Sequence, residues 1–197
     1  MELKNEPKVL GLDISTKTIG WALFGSQSQK LLELTHFSPR VTPRPDDKIE
    51  EHLKKATAFE EKLKGVKDLG IVKVIIEEPL LTSNNIYTVG SLLRYNSMIV
   101  KTVYDILGVV PQFISTYNSR KFAHESLYTY NDKGKKVLFG GQPKGCDKKH
   151  LVWEQVKILE PHIVWPFGRT GKLKKECYDM SDAYTCVRGL MKQESIW

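Results

Sequence analysis

The sequence predicts an α/β fold with a mixed central sheet flanked by helices, in a single domain spanning residues 1–197. Two observations carry that expectation. Three β-type runs open the chain with no helical pattern between them, and amphipathic helical stretches then alternate with buried-type apolar runs. The sequence has no internal repeat and no low-complexity tract. At 197 residues the chain can bury a proper core but is short for two large lobes.

The opening strands are expected over 8–14, 19–25 and 30–37, with the segment from Ser15 to Gly20 as a hairpin turn. Pro39, Pro43 and Pro45 then mark a connection. From 46 to 64, Ile49, Leu53, Ala56 and Leu63 recur on one helical face. The β-branched run 71–76 reads as a strand buried on both faces and stops at Glu77-Glu78-Pro79. After a loop, residues 86–107 carry Val89, Leu92, Leu93, Val100, Val103 and Leu107 at helical spacing, with Met98 and Ile99 off that stripe. A further strand is expected over 109–114, and a hairpin over 127–139 built on Asp132-Lys133-Gly134. Val152, Val156 and Leu159 face inward on a helix over 148–159, which Pro161 ends, and a last helix starts near Asp179.

Acidic residues stand where these elements end. Asp13 interrupts an apolar strand, and strand interiors disfavour Asp because a buried, unpaired carboxylate is costly. It needs a cation, a donor network or a catalytic use, unless it merely caps a turn at the strand end. Glu77 closes the central run. Strand alternation sends Glu78 to the opposite face, and Pro79 fixes Glu78 as extended, so only one of the pair can easily serve a given site, and the resemblance described below falls on the first, Glu77. Asp179 and Asp182 lie three residues apart and share a helical face, a spacing that equally fits an N-cap with its third-position partner.

In order, these residues read strand-Asp, strand-Glu and helix D-x-x-D-A, and from about Lys8 to Leu190 the chain resembles the RuvC family of Holliday-junction resolvases, within the RNase H-like nuclease superfamily. The resemblance implies an RNase H-like fold in which Asp13, Glu77, Asp179 and Asp182 hold two magnesium ions, for which manganese substitutes. It further implies a crossover junction endodeoxyribonuclease that acts as a homodimer and resolves four-way DNA junctions by paired symmetric nicks. Gly145-Cys146-Asp147-Lys148, just before a helix, is similar to the family's segment bearing a lysine near the site. Lys148 is therefore a candidate to assist at the scissile phosphate, though it also reads as a solvated lysine at a helix start. Such chemistry suits paired acids: phosphodiester hydrolysis needs an activated water and a neutralised leaving oxygen, which two magnesium ions about 3.5–4 Å apart provide. Where the family commonly carries an aromatic wedge after the catalytic Glu, this chain offers Pro79, Leu80 and Leu81. An apolar wedge still unstacks a base step, and a relaxed enzyme cutting several branched or flap DNAs fits that departure.

Composition agrees with a polyanionic partner. Thirty basic against twenty-three acidic residues give a formal charge of +7. Lys133, Lys135 and Lys136 at the hairpin tip, with Tyr128 and Tyr130 beside them, suit phosphate contact and base stacking, although a Lys-rich tip also keeps a sheet edge soluble. The hairpin region, about 127–140, is a candidate insertion. Arg169, Lys172, Lys174 and Lys175 form a second basic run, immediately before the acidic helix. Three cysteines without C-x-x-C spacing argue against a disulfide framework or a zinc module, and the absence of a signal segment or long apolar span leads to a cytoplasmic expectation with no membrane partner. The helix over 86–107 is the candidate dimer interface, because Met98 and Ile99 spread its apolar surface beyond one face. Two other classes fit parts of the sequence. An actin/hexokinase-like ATP-binding protein would use Asp13 to Thr18 as a phosphate loop but needs a second lobe. A non-catalytic junction-binding scaffold would be expected to have lost some of the four acids, all of which are present.

Overall fold

The computed structural model describes residues 6–43, 45–80, 85–140, 142–143 and 145–197, and of Lys136 the backbone alone. Its elements are β1 (Lys8–Ile14), β2 (Ile19–Gly25), β3 (Leu31–Phe37), α1 (Lys48–Lys64), β4 (Ile71–Glu77), α2 (Ile86–Leu107), β5 (Gln112–Ile114), α3 (Thr116–Ala123), the hairpin β6 (Tyr128–Tyr130) and β7 (Lys136–Leu138), α4 (Lys148–Leu159) and α5 (Glu176–Gln193). The main sheet runs β3-β2-β1-β4-β5. Its first three strands pair antiparallel, whereas β4 joins β1, and β5 joins β4, in parallel. This is the mixed α/β sheet that the sequence predicts.

The near-continuous apolar character of β1, β2 and β4 follows from cover on both faces. Leu10, Leu12, Ile14, Val74 and Ile76 meet Phe59 and Leu63 of α1 and Tyr95, Ile99 and Val103 of α2. Val9 and Ile75 face the other way, onto Trp153 and Val156 of α4 and Met180, Ala183, Tyr184 and Val187 of α5. Side chains alternate along a strand, so Asp13 shares the face of Val9, and Glu77 that of Ile75. Both carboxylates thereby belong to the layer that α5 covers.

Several helical details differ from expectation. On α1 the buried row includes His52, Ala56, Phe59 and Leu63, while Ile49 and Leu53 are 45% and 52% exposed. Phe59 sets that row by packing edge-on against Trp21, with ring centroids 6.4 Å apart. On α2, Ile99 belongs to the core, in an i, i+4, i+8 row with Tyr95 and Val103, and Leu93 is 39% exposed. Ile99 therefore cannot serve an outward face. The β5 strand is confined to three residues, and α3, which no periodic apolar pattern announced, follows it directly.

Helix α5 starts at Glu176, three residues before Asp179, and the residue at its N-cap, Lys175, makes no side-chain capping bond. Asp179 is therefore not a cap, and the reading of Asp179 and Asp182 as a capping pair is set aside. What lets α5 lie so close to the sheet is missing side chains: a Cβ on Gly11 would stand 2.4 Å from the Ala183 carbonyl oxygen, and one on Gly20 only 1.9 Å from that of Asp179. Gly20 pairs with Asp13 across β1 and β2, so this contact sits at the level of the acids. Gly20→Ala is expected to destabilise the fold by about 1–3 kcal/mol through overpacking, measurable by urea denaturation, and to lift the first turn of α5 off the sheet. Wild-type stability in that variant would contradict the close approach.

Candidate metal centre and nucleic-acid cleft

Three different elements supply the acids. The parallel register of β1 and β4 runs Gly11 to Ile75 and Leu12 to Ile76, and one further step sets Asp13 beside Glu77 at the carboxyl ends of the two strands. Ligands of open α/β sheets commonly bind beyond such ends. Asp182, 2% exposed, comes down from α5, and single oxygens of Asp13, Glu77 and Asp182 all lie within 4.8 Å of one another. Asp179, half-buried one turn earlier on α5, does not join that trio but is near enough to act on Asp13 by charge. Glu78 is exposed.

Two cations answer this charge. Arg120 of α3, buried, donates from Nη2 to Asp182 Oδ1 at 3.0 Å. Lys149 of α4 brings its Nζ to 3.0 Å from Asp182 Oδ2 as an ion pair. The lysine at the cluster is thus Lys149 and not Lys148, whose ammonium lies over the Phe139 ring, 5.8 Å from its centroid. Asp147 decides between them: its carboxylate accepts from the amides of Lys149 and His150, which fixes the first turn of α4 and aims position 149 at α5. Thr116, the first residue of α3, donates its hydroxyl to Glu77 Oε1, and the Cys186 thiol lies 4.0 Å from Glu77 Oε2.

Proton affinities register the crowding. Burial, reinforced by the charges of Glu77, Asp182 and Asp179, pushes Asp13 well above the usual carboxylate range. Burial and the Asp182 charge push Glu77 up to about 7, against the pull of Thr116, Arg120 and Lys149. Burial raises Asp179 to about 6 although Lys149 works against it. Burial would lower Lys149, but the charges of Asp182 and Asp13 more than reverse this and hold it protonated. Cys186 is pushed up by burial and by Glu77, so it faces the cluster as a thiol rather than a thiolate ligand.

This set fits a hard divalent cation. Its donors are carboxylate oxygens, and Asp182 Oδ2 is a buried oxygen with no well-aligned hydrogen-bond donor among the described residues, the Lys149 ammonium lying beside it at 3.0 Å. Beside the acids, Lys17, Arg40, Lys172, Lys174 and Lys175 line an open cleft of about 1100 Å3 that reaches Asp179. Lys17 and Arg40 had no separate mark in the sequence; they gather here because the β1–β2 turn and the end of β3 meet the segment before α5. That turn spends its amides internally, since Ser15 Oγ accepts from Lys17 and Thr18 at 3.4 and 3.0 Å, which leaves little of the amide cradle a phosphate loop requires.

The remaining candidates lie apart. Arg169 is exposed and is not part of the cleft wall. Lys133 and Lys135 are exposed at the hairpin tip, where the Asn131 side chain accepts from both their amides, and nothing is described of the Lys136 side chain. Tyr130 is 72% exposed and Tyr128 half-buried. Leu80 is 63% exposed, and Leu81 lies outside the described residues. Among the described residues no helix is long and apolar enough to cross a membrane.

The architecture is similar to that of two solved structures of Thermus thermophilus RuvC. One, in complex with a Holliday junction substrate, matches with a TM-score of 0.58 over 91% of this chain and 92% of that chain, at 9% sequence identity. The other matches with a TM-score of 0.57 over 96% and 97% of the two chains, at 12% identity. No protein-family model matches the sequence, and no curated protein matches it. The chain therefore has the RuvC-like, RNase H-like fold that the order of its acidic residues implies.

Raised carboxylates make the cation-free protein pH-sensitive. Glu77, held near 7 against an ordinary 4.5, binds its proton more tightly folded than unfolded, so its contribution is fully present below about pH 4 and is lost as pH rises through 7. Without divalent cations the melting temperature is expected to fall between about pH 5 and pH 8. Asp13→Asn should raise it at pH 8 by about 2–4 °C, the effect of roughly 1 kcal/mol in a chain of this size. Calorimetry in chelator that finds the wild type more stable at pH 8 than at pH 5 would refute this account.

Proposed function

We propose that this protein is a divalent-metal-dependent, structure-selective DNA endonuclease that cuts four-way junctions. The observation that carries the reading is the convergence of Asp13, Glu77 and Asp182 at the ends of two parallel strands, beside a basic cleft and within a RuvC-like fold. Asp13, Glu77, Asp182 and Asp179 would hold magnesium, in two ions with manganese as substitute, and bound ions supply water activation and neutralisation of the leaving oxygen. Lys17, Arg40, Lys172, Lys174 and Lys175 bind backbone phosphates along the cleft. Lys149, half-exposed and protonated, is placed to shift from Asp182 to the scissile phosphate. Leu80 and Leu81 follow Glu77 and are available as an apolar wedge at the junction centre. The hairpin lysines Lys133 and Lys135, exposed at the tip, would be available to a DNA phosphate backbone.

Resolution without gaps needs two opposed cuts, so the active species on this reading is a homodimer. With Ile99 in the core, the interface on α2 falls to residues that the monomer leaves outward. Tyr104, Val110 and Phe113, exposed by 55%, 72% and 45%, flank an apolar groove between α2 and β5. Light scattering is expected to give a dimer on a junction, and cut-site mapping symmetric nicks on two opposing strands of that junction. A monomer nicking one strand would leave a simpler branch or flap nuclease.

Substitutions separate the candidate ligands from their neighbours. Asp13→Asn and Glu77→Gln should each lower magnesium-dependent nicking of a labelled four-way junction by about a hundredfold or more, beyond what a merely supporting partner costs, while junction affinity in chelator is kept or increased. Glu78→Gln should stay within about twofold. Lys149→Met should reduce cleavage strongly and Lys148→Met only slightly. Near-normal cleavage by Asp13→Asn, or the reverse ranking within either pair, would remove the assignment.

A further inference from the structure

We propose that α3 is the positioning element of the metal centre, with Thr116 and Arg120 each holding one oxygen of a different ligand from inside the fold. The inference rests on the reading of the carboxylate trio as a cation site. Thr116, Arg120 and His124 follow one another at i, i+4 and i+8 and so form one row along α3 and its end. Every member of the row bonds to the layer around the acids. Thr116 donates to Glu77 Oε1, Arg120 to Asp182 Oδ1 at 3.0 Å, and His124 Nε2 shares a hydrogen bond with Thr185 Oγ1 of α5 at 2.9 Å.

The location of α3 is itself fixed on two sides. Glu77 pairs with Ile114 in the β4–β5 ladder, and Ser115 then starts the helix by accepting from the Asn118 amide at 3.3 Å. Thr116 is thereby delivered to Glu77 two residues beyond the strand pair. On the other side, Gly189 of α5 lets the α3 backbone come close: a Cβ there would stand 2.5 Å from the Ser119 carbonyl oxygen. With one oxygen of each carboxylate bonded to α3, among the described residues Asp182 Oδ2 faces the Lys149 ammonium as an ion pair without a well-aligned hydrogen bond, and Glu77 Oε2 has the 4.0 Å thiol contact of Cys186. Those two oxygens are the ones turned toward a cation, Asp182 Oδ2 once the half-exposed Lys149 ammonium 3.0 Å away gives way, and neither carboxylate can rotate without breaking its bond to α3. Groups that hold ligands in this way typically contribute about 10–100-fold to metal affinity.

Arg120 separates positioning from charge, because the two predict opposite signs. As a mere charge beside the site, Arg120 repels a cation, and its removal should tighten binding; as a positioning group, its removal should weaken it. Thr116 carries no charge at all. Binding of Mn2+ to metal-free protein, followed by the electron paramagnetic resonance signal of the free ion, reads this without cleavage or DNA. Thr116→Val and Arg120→Met are expected to raise the Mn2+ dissociation constant by about 10–100-fold, with Arg120→Lys recovering part of the loss. Melting curves in chelator report whether each variant is folded, and if Arg120→Met is not, the neutral Thr116→Val decides alone. Tighter Mn2+ binding by Arg120→Met, or unchanged binding by folded Thr116→Val, overturns the role of α3 while leaving the metal site in place. A wild-type protein that takes up no Mn2+ overturns the metal site first, and this inference with it.

Discussion

Helix α5 rests on bare backbone. Where it crosses β1 and β2, Gly11 and Gly20 offer no side chain, and the carbonyls of Ala183 and Asp179 occupy the space that Cβ atoms would fill. The helix is drawn down by the burial of Met180, Ala183, Tyr184 and Val187 against Val9, Phe24 and Ile75. Gly189 repeats the arrangement on its far side, toward α3. Held between sheet and α3, α5 carries Asp182 to a depth where it is 2% exposed and meets acids that arrive from below on β1 and β4. The depth of that carboxylate is a steric result, reached through three glycines before any electrostatic term enters.

Electrostatics then works against the arrangement. Four carboxylates share a half-buried layer, and burial and mutual repulsion raise three of them, Asp13, Glu77 and Asp179, while the fourth, Asp182, lies between Arg120 and Lys149. The two cations differ in kind. Arg120 is enclosed, its side chain 9% exposed, and its planar group is tied to one oxygen; Lys149 is 49% exposed on a flexible stem and makes an ion pair without a hydrogen bond at the other. An enclosed guanidinium stays, whereas a half-solvated ammonium can leave at little cost, because water screens what it loses. Were all four acids ionised, two charges would stand beyond what Arg120 and Lys149 answer, and a divalent ion supplies that amount.

Legibility from sequence followed periodicity. Asp13 and Glu77 stood out because each violates the apolar rule of a strand, and a period of two fixes which face each takes, so their meeting needed only the parallel register of β1 and β4. The start of α5 has no sequence signature, because its N-cap residue, Lys175, makes no side-chain bond. The α1 and α2 faces were rotated because single large aromatics, Phe59 and Tyr95, outweigh the count of smaller aliphatics in choosing the buried side. Helix α3 was missed because its informative row, Thr116 and Arg120 leading to His124, is polar and points inward, the reverse of the pattern that marks an amphipathic helix. The available signal was Ser115 closing a short apolar run, with polar residues at a four-residue spacing after it. The lysine beside the acids was off by one position because the Asp147 cap sets the phase of α4, and a resemblance carried through a short motif does not resolve which neighbouring residue faces the site.

The cleft adds a second layer of charge with the opposite sign and a different range. Lys17, Arg40, Lys172, Lys174 and Lys175 are exposed at the rim, on loops that close the same end of the sheet where the acids are buried. Rim charges act through water and are screened beyond roughly 8–10 Å at ordinary salt, so on the proposed function they would draw a polyanion without cancelling a cation site beneath them. A phosphate backbone seated on the rim would neutralise these basic groups and add negative charge above the acids, which would make a divalent ion there more favourable. By linkage, a bound ion then favours the phosphate to the same degree. On the proposed function, nucleic acid and metal would therefore load cooperatively, with the loosely held Lys149 free to pass from the lower layer to the upper as they do.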